Sequence, residues 1–124
     1  MKKNKIVYVP MAIDILHTGH LNIINIARDL GDVTIGLLSD EAISDYKRLP
    51  MISFNDRKKI IENIKGVKSI ITQDTYDYEP ILRKLKPNYL VHGDDWKVGF
   101  QRKMRDKVVD ILAEWGGELV EPKY

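Results

Sequence analysis

Short runs of β-branched apolar residues alternate along this chain with stretches in which apolar residues recur every three or four positions. Residues 5–10 form an apolar run stopped by Pro10, which predicts a buried strand. Thr18–Leu30 follows with Leu21, Ile24, Ala27 and Leu30 on one side and Gly31 beyond, a helical pattern with a glycine stop. Asp32–Leu38 predicts a second buried strand, and Ser39 caps a short helix or turn reaching Ile43. A basic loop, residues 46–50, leads to a helix capped by Ser53. Its Phe54 points inside, its apolar face is Ile60, Ile61 and Ile64, and Gly66 ends it. Val67–Gln73 predicts a third strand, and residues 74–77 a polar linker. Residues 78–86 predict a short helix with Ile81, Leu82 and Leu85 inward and Pro80 in its first turn. Pro87 forces a break. Residues 88–92 then predict a fourth strand, 93–96 a turn, 100–115 a helix with Met104, Val108, Ile111, Leu112 and Trp115 inward, and 118–121 a last strand after Gly116-Gly117.

Strand and helix alternate up to a fifth strand with no hairpin signal between them. That order predicts an α/β fold, a five-stranded parallel sheet with helices on both faces. No linker, repeat or low-complexity segment divides residues 1–124, so a single domain is expected. In such sheets the site lies beyond the carboxyl ends of the strands, where the strand order reverses. Two chemically conspicuous stretches, His17-Thr18-Gly19-His20 and Gly93-Asp94-Asp95-Trp96, both fall at carboxyl ends. They share one crevice if the first and fourth strands are neighbours.

His17 and His20 sit where a strand hands over to a helix N-terminus, three residues apart and so pointing the same way. Gly19 between them lets a ligand approach the backbone closely. Helix-terminal N–H groups favour an anion. Two imidazoles, an open backbone and a helix dipole together make a phosphate site. The plainer alternative is that the pair caps the helix or packs in the core. Zinc is another: with no cysteine and only His92 besides, it would need two histidines and a carboxylate. Neither G-x-x-x-x-G-K-[ST] nor G-x-G-x-x-G occurs.

Composition narrows the partners more than the chemistry. With 20 basic and 18 acidic residues the net charge is +2, too balanced to argue for nucleic acid or an anionic membrane as main partner. No stretch approaches the roughly 20 apolar residues of a membrane span. The absence of cysteine and of a signal-like N-terminus points to the cytoplasm.

The run Met11-Ala12-Ile13-Asp14-Ile15-Leu16-His17-Thr18-Gly19-His20, the helix entry Phe54-Asn55-Asp56-Arg57-Lys58 and the turn Gly93-Asp94-Asp95-Trp96 resemble the cytidylyltransferase branch of the HxGH nucleotidyltransferases, in particular the glycerol-3-phosphate cytidylyltransferases. The runs at 31–38 and 115–122 look closer still to the nucleotidyltransferase domains fused to phosphoenolpyruvate mutases in phosphonate biosynthesis. The resemblance covers essentially the whole chain. It implies a Rossmann-like fold, often a homodimer, and a partnership or fusion with a phosphoenolpyruvate mutase.

Two departures stand out. The glycine and threonine that precede the aspartate in the glycerol-3-phosphate enzymes are Met11 and Ala12 here, which removes a hydroxyl from the phosphate region. The family's C-terminal Gly-Ile-Ser-Ser/Thr-Thr segment, which grips the triphosphate, is expected to begin about where this sequence stops, at Tyr124.

Carried over residue by residue, the resemblance implies that His17 and His20 contact the triphosphate and stabilise the transition state, that Lys47 or Arg48 neutralises the transferred group, and that Arg57 binds phosphate. Without the resemblance, Arg57 reads as a surface helix residue and Lys47 and Arg48 as a solvated loop. The nucleotide-binding set it implies is Met11, Ala12, Ile13, Asp14, Gly19, His92, Gly93, Asp94, Asp95 and Trp96. Asp14 is expected to hold the entrance loop or to join the metal–phosphate shell, and the 93–96 turn to hold the base. A carboxylate there suits cytosine, which offers an amino donor at its pairing edge. The implied reaction joins CTP to a small phosphonate or phosphate with loss of pyrophosphate, using Mg2+. Glycerol-3-phosphate as acceptor, ATP as nucleotide, and a non-catalytic nucleotide-binding or dimerisation module are the alternatives.

Overall fold

The computed structural model describes residues 4–45 and 48–123. Its strands are β1 (Ile6–Met11), β2 (Asp32–Leu38), β3 (Val67–Gln73), β4 (Tyr89–Val91) and β5 (Glu118–Val120). The helices are α1 (Thr18–Leu30), α2 (Asp40–Ser44), α3 (Phe54–Glu62), α4 (Glu79–Leu85) and α5 (Arg102–Ala113), with a 3-10 turn at Asp94–Lys97. All five strands are parallel in the order β3-β2-β1-β4-β5. This is the five-stranded parallel α/β sheet that the alternation predicts, in the Rossmann-like form that the resemblance implies.

Strand alternation sorts the core into two layers. Val7, Val9 and Met11 of β1 pack with Val33, Ile35 and Leu37 of β2 against Ile23, Ile24 and Ala27 of α1 and Ile61 of α3. Tyr8, on the opposite face, joins Leu90, Leu82 of α4, and Val108, Ile111 and Leu112 of α5. Gly36 makes room for the Tyr8 ring, since a Cβ there would run into the Tyr8 hydroxyl. That hydroxyl donates to Gln73 Oε1 at 2.6 Å, tying the central strand to the end of β3.

Several boundaries differ from the sequence expectation. β1 does not stop at Pro10 but runs on to Met11, in register with Gly36 and Leu37 of β2. Its pairing with β4 ends at Tyr8↔Leu90. A proline two residues later has no ladder bond to give on that side. α3 ends at Glu62, four residues before Gly66. Its chain tightens there into i→i+3 bonds (Asn63 to Ile60, Ile64 to Ile61) before turning at Gly66, where φ is +95°. Ile60 is an outward residue, 38% exposed, whereas Ile61 is fully buried. α5 is shorter than expected, and Phe100 lies outside it, 72% exposed. β4 and β5 each hold three residues. No helix among the described residues is long and apolar enough to cross a membrane.

Candidate functional site

Strand order places the site. The chain winds from β1 outward through β2 to β3, then returns to β4 on the other side of β1, so the order reverses between β1 and β4. Beyond Tyr8 and Leu90 these two strands are no longer paired. A cleft of about 530 Å³ opens there, lined on one side by Pro10, Met11, Ala12, Ile13 and Asp14 and on the other by Val91, His92, Gly93 and Asp95. His17 and His20 stand on it at the start of α1, and Arg48 and Pro50 line it from the loop before α3. The condition posed by the sequence, that the first and fourth strands be neighbours, is met.

The two histidines are both helix caps and cleft residues. His17 is the N-cap of α1 in extended conformation, and its Nδ1 accepts the Gly19 N–H at 3.0 Å. His20 Nδ1 in turn accepts the His17 backbone N–H at 3.1 Å. This is a reciprocal capping box built from imidazoles. A neutral ring that accepts at Nδ1 carries its proton on Nε2. Each ring is therefore held as an Nε2–H donor beside the helix terminus, with centroids 4.1 Å apart. The capping reading is met through Nδ1 of both rings, and both rings also line the cleft.

The loop between β1 and α1 is held at three points. Ile13 has φ +53°, a left-handed conformation that costs a β-branched residue on the order of 1–3 kcal/mol, and its side chain is 1% exposed. Before it, the Ala12 carbonyl accepts from Arg57 Nη1 at 2.6 Å. After it, Asp14 Oδ1 accepts the N–H groups of Met51 (2.7 Å) and Ile52 (3.1 Å), while Oδ2 lies 3.2 Å from Arg48 Nη1. Those bonds, led by the Ile52 amide, hold the Asp14 carboxyl below the usual carboxylate range. Asp14 thereby ties the β1–α1 loop to residues 48–52. A depressed folded-state pKa contributes stability that is present above the unfolded value and lost as pH falls through the folded one. Acidification below about pH 4 should therefore release residues 48–52 before the sheet unfolds. The Met51 and Ile52 amide NMR shifts should titrate together there, ahead of those of Tyr8 and Leu90. Amide shifts of Met51 and Ile52 flat down to global unfolding would show that the loop is held by something else.

The structure does not bring every expected residue to the cleft. Arg57 was expected to bind phosphate, yet its side chain is fully buried beneath the loop. Its guanidinium donates to the carbonyls of Ile52, Ala12 and Leu38 and to Asp40 Oδ1. Four of its five N–H donors are committed to protein, which makes it a brace under the carboxyl ends of β1 and β2. Gly19 serves through its backbone as part of the cap. Asp94 and Trp96 do not line the cleft. Asp94 donates its backbone N–H to Pro122, and Trp96, 1% exposed, stacks behind His92 with centroids 3.7 Å apart and an 8° tilt. Lys47 lies outside the described residues. His92 Nδ1 is 2.8 Å from the Gly93 carbonyl, and burial pushes its pKa down. A ring bonded to a carbonyl through Nδ1 keeps an acceptor lone pair on Nε2. Sequence reasoning missed Ile23, Ile43, Tyr78 and Gln101 on the cleft wall, because they come from segments brought together only by the fold.

The residues suit Mg2+ only as a companion of a phosphate ligand. Among the described residues no group of three or more His, Asp or Glu side chains is arranged to hold a metal. Asp14, the carboxylate on the histidine side of the cleft, already holds two amides and Arg48. Mg2+ commonly binds through phosphates, waters and one or two carboxylates rather than a protein cage, and Asp95 is the cleft carboxylate left to reach it.

A family model described as cytidylyltransferase-like matches residues 12–114. The chain is 31% identical over 121 residues to the bifunctional protein HldE of Desulfatibacillum aliphaticivorans, covering 94% of this chain and 23% of that protein. It is 34% identical over 95 residues to the ethanolamine-phosphate cytidylyltransferase of Arabidopsis thaliana, covering 72% of this chain and 23% of that one. The chain thus spans about a quarter of the length of these curated relatives. In fold it is similar to the crystal structure of the lipopolysaccharide core biosynthesis protein from Thermoplasma volcanium GSS1, with a TM-score of 0.81 and 21% identity, covering 98% of this chain and 99% of that one. The match over residues 12–114 takes in both walls of the cleft and the capping histidines, and the chain belongs to the cytidylyltransferase-like family.

Proposed function

We propose that this chain is a cytidylyltransferase domain that transfers CMP from CTP to a small phosphonate or phosphate monoester, releasing pyrophosphate. The observation that carries the reading is the imidazole capping box on the cleft, which puts two histidine rings and a helix N-terminus side by side on its wall. The acceptor is an anion at neutral pH, so no strong base is needed. Its oxygen forms a bond to the α-phosphorus. The bond from that phosphorus to the bridging oxygen breaks, and pyrophosphate leaves with the electron pair. His17, His20 and Arg48 would hold the non-bridging oxygens and neutralise charge gathering on them. Mg2+ would enter with the triphosphate and neutralise part of its charge. The wall formed by His92, Gly93 and Asp95 would take the base.

The match to ethanolamine-phosphate cytidylyltransferase supports a phosphate-type acceptor, since that relative's name states one. A phosphonate acceptor, a homodimer and pairing with a phosphoenolpyruvate mutase belong to the same proposal and rest on the sequence resemblance. The test is pyrophosphate release over the four nucleoside triphosphates, crossed with glycerol-3-phosphate, ethanolamine phosphate and a small aminoalkyl phosphonate. Release with CTP well above ATP, and fastest with the phosphonate, is the expected result. Release with ATP but not CTP would overturn the nucleotide, and release with neither, together with no CTP binding, would overturn the enzyme.

A further inference from the structure

Three consecutive residues, the last of β5 and the two after it, hold the far wall of the cleft without lining it. The Val120 carbonyl accepts the His92 N–H at 3.1 Å, and the Pro122 carbonyl accepts the Asp94 N–H at 3.0 Å. Between them, Glu121 turns its carboxylate, 10% exposed, toward Trp96 and α5. Glu121 Oε2 accepts Trp96 Nε1–H at 2.8 Å and Arg105 Nε–H at 2.9 Å, Oε1 accepts from Arg105 Nη2 at 2.8 Å, and Lys97 Nζ lies 4.0 Å away. Trp96 in turn lies flat against His92, whose Nδ1 is fixed on the Gly93 carbonyl. The ring plane of His92, and so the direction of its remaining nitrogen, is set from behind by Trp96. Trp96 is set by Glu121.

We propose that Glu121 is a positioning residue for the base-side wall of the cleft, holding Trp96 so that His92 presents its ring to the nucleotide. The proposal rests on the nucleotidyltransferase reading for its ligand, but the arrangement it describes is independent of that reading. A bidentate Arg–carboxylate pair is geometrically stiff, and here it is shared with an indole donor, so one side chain fixes two partners at once. The histidine pair stands at the start of α1, with His17 its N-cap and His20 in its first turn, on the wall opposite this network. Loosening it should weaken binding of ground state and transition state alike, which appears in KM and leaves kcat nearly unchanged.

The test compares wild type with Glu121→Ala and Glu121→Gln, each first shown to be folded by circular dichroism at the assay temperature. Amide and indole NMR of the protein without nucleotide reports the geometry. Calorimetry with CTP and Mg2+, and steady-state pyrophosphate release, report its use. In Glu121→Ala the resonances of residues 92–97 and the Trp96 indole should shift while those of His17, Gly19 and His20 stay. The CTP Kd and KM should rise roughly tenfold, the size of one lost hydrogen bond to a charged group, with kcat within about twofold. Glu121→Gln keeps an acceptor for the indole and should recover most of the loss. Unmoved 92–97 resonances, or a CTP Kd equal to wild type, overturn the proposal. A wild type that fails to bind CTP overturns the function proposed above, and the NMR comparison then decides the positioning role alone. Should Glu121→Ala not fold, the same two outcomes are read from Glu121→Gln at smaller amplitude.

Discussion

His17→Asn is expected to keep helix Thr18–Leu30 and to lower turnover by roughly 100-fold or more, the cost of one preorganised donor at developing charge. His17 does two jobs with two nitrogens. Nδ1 caps the helix by accepting the Gly19 N–H, while the ring stands on the cleft, where Nε2 is proposed to meet the phosphate. Asparagine ranks among the best N-caps, so the substitution restores the first job and removes the second. His17→Ala removes both and should add a stability loss of about 0.5–2 kcal/mol to the same fall in turnover. His20→Ala should match the turnover loss, because His20 Nδ1 accepts the His17 backbone N–H in the cap and its ring stands on the same cleft. Pyrophosphate release at saturating nucleotide, set beside thermal denaturation, separates the two jobs. Near-wild-type turnover in His17→Asn would reduce the residue to a cap.

The sheet was legible because the longer strands β1, β2 and β3 are rich in β-branched residues and the helices between strands carry apolar stripes. Val7 and Val9 reach one layer and Tyr8 the other by simple alternation. Strand order was legible only as a condition. Nothing local in residues 88–92 says that β4 crosses back beside β1, and that crossing is what opens the cleft. The histidines were legible from a spacing of three at a strand-to-helix junction, because one helical turn settles where both point. Arg57 was not. It sits among Asn55, Asp56, Lys58 and Lys59 on a helix that reads as a solvated surface, and no local pattern signals a buried guanidinium. Its carbonyl partners belong to residues 12, 38 and 52, which meet only when β1, β2 and the loop before α3 converge. Glu121 escaped for the same reason, since its partners at 96 and 105 come from a turn and a helix brought together by the β4–β5 pairing.

Arg57→Met is expected to cost about 3–5 kcal/mol of stability, the largest loss foreseen for any single replacement here. Methionine fills the stem of the arginine but donates nothing. The Leu38 carbonyl sits in a buried bond at 2.8 Å, and those of Ala12 and Ile52 in part-buried ones at 2.6 and 3.1 Å. Each stranded acceptor costs about 1–3 kcal/mol. Two terms offset that sum: methionine carries no charge to desolvate, and Asp40, 46% exposed, regains water when its partner goes. The remainder is a large share of the 5–15 kcal/mol that typically holds a domain together, and it should lower the melting temperature by roughly 10–20 °C. Arg57→Lys keeps the charge, but a single ammonium does not reproduce a planar fork spread over three carbonyls, so an intermediate loss is expected. The consequence for function runs through Ile13. Once the Ala12 carbonyl is released, the left-handed residue next to it has lost an anchor, and the loop that carries Asp14 toward the histidines is free to relax. Turnover measured well below the lowered melting point should therefore fall as well. A melting temperature within about 2 °C of wild type, scaled by the same relation, would mean that water replaces the guanidinium at little cost and that the brace is dispensable.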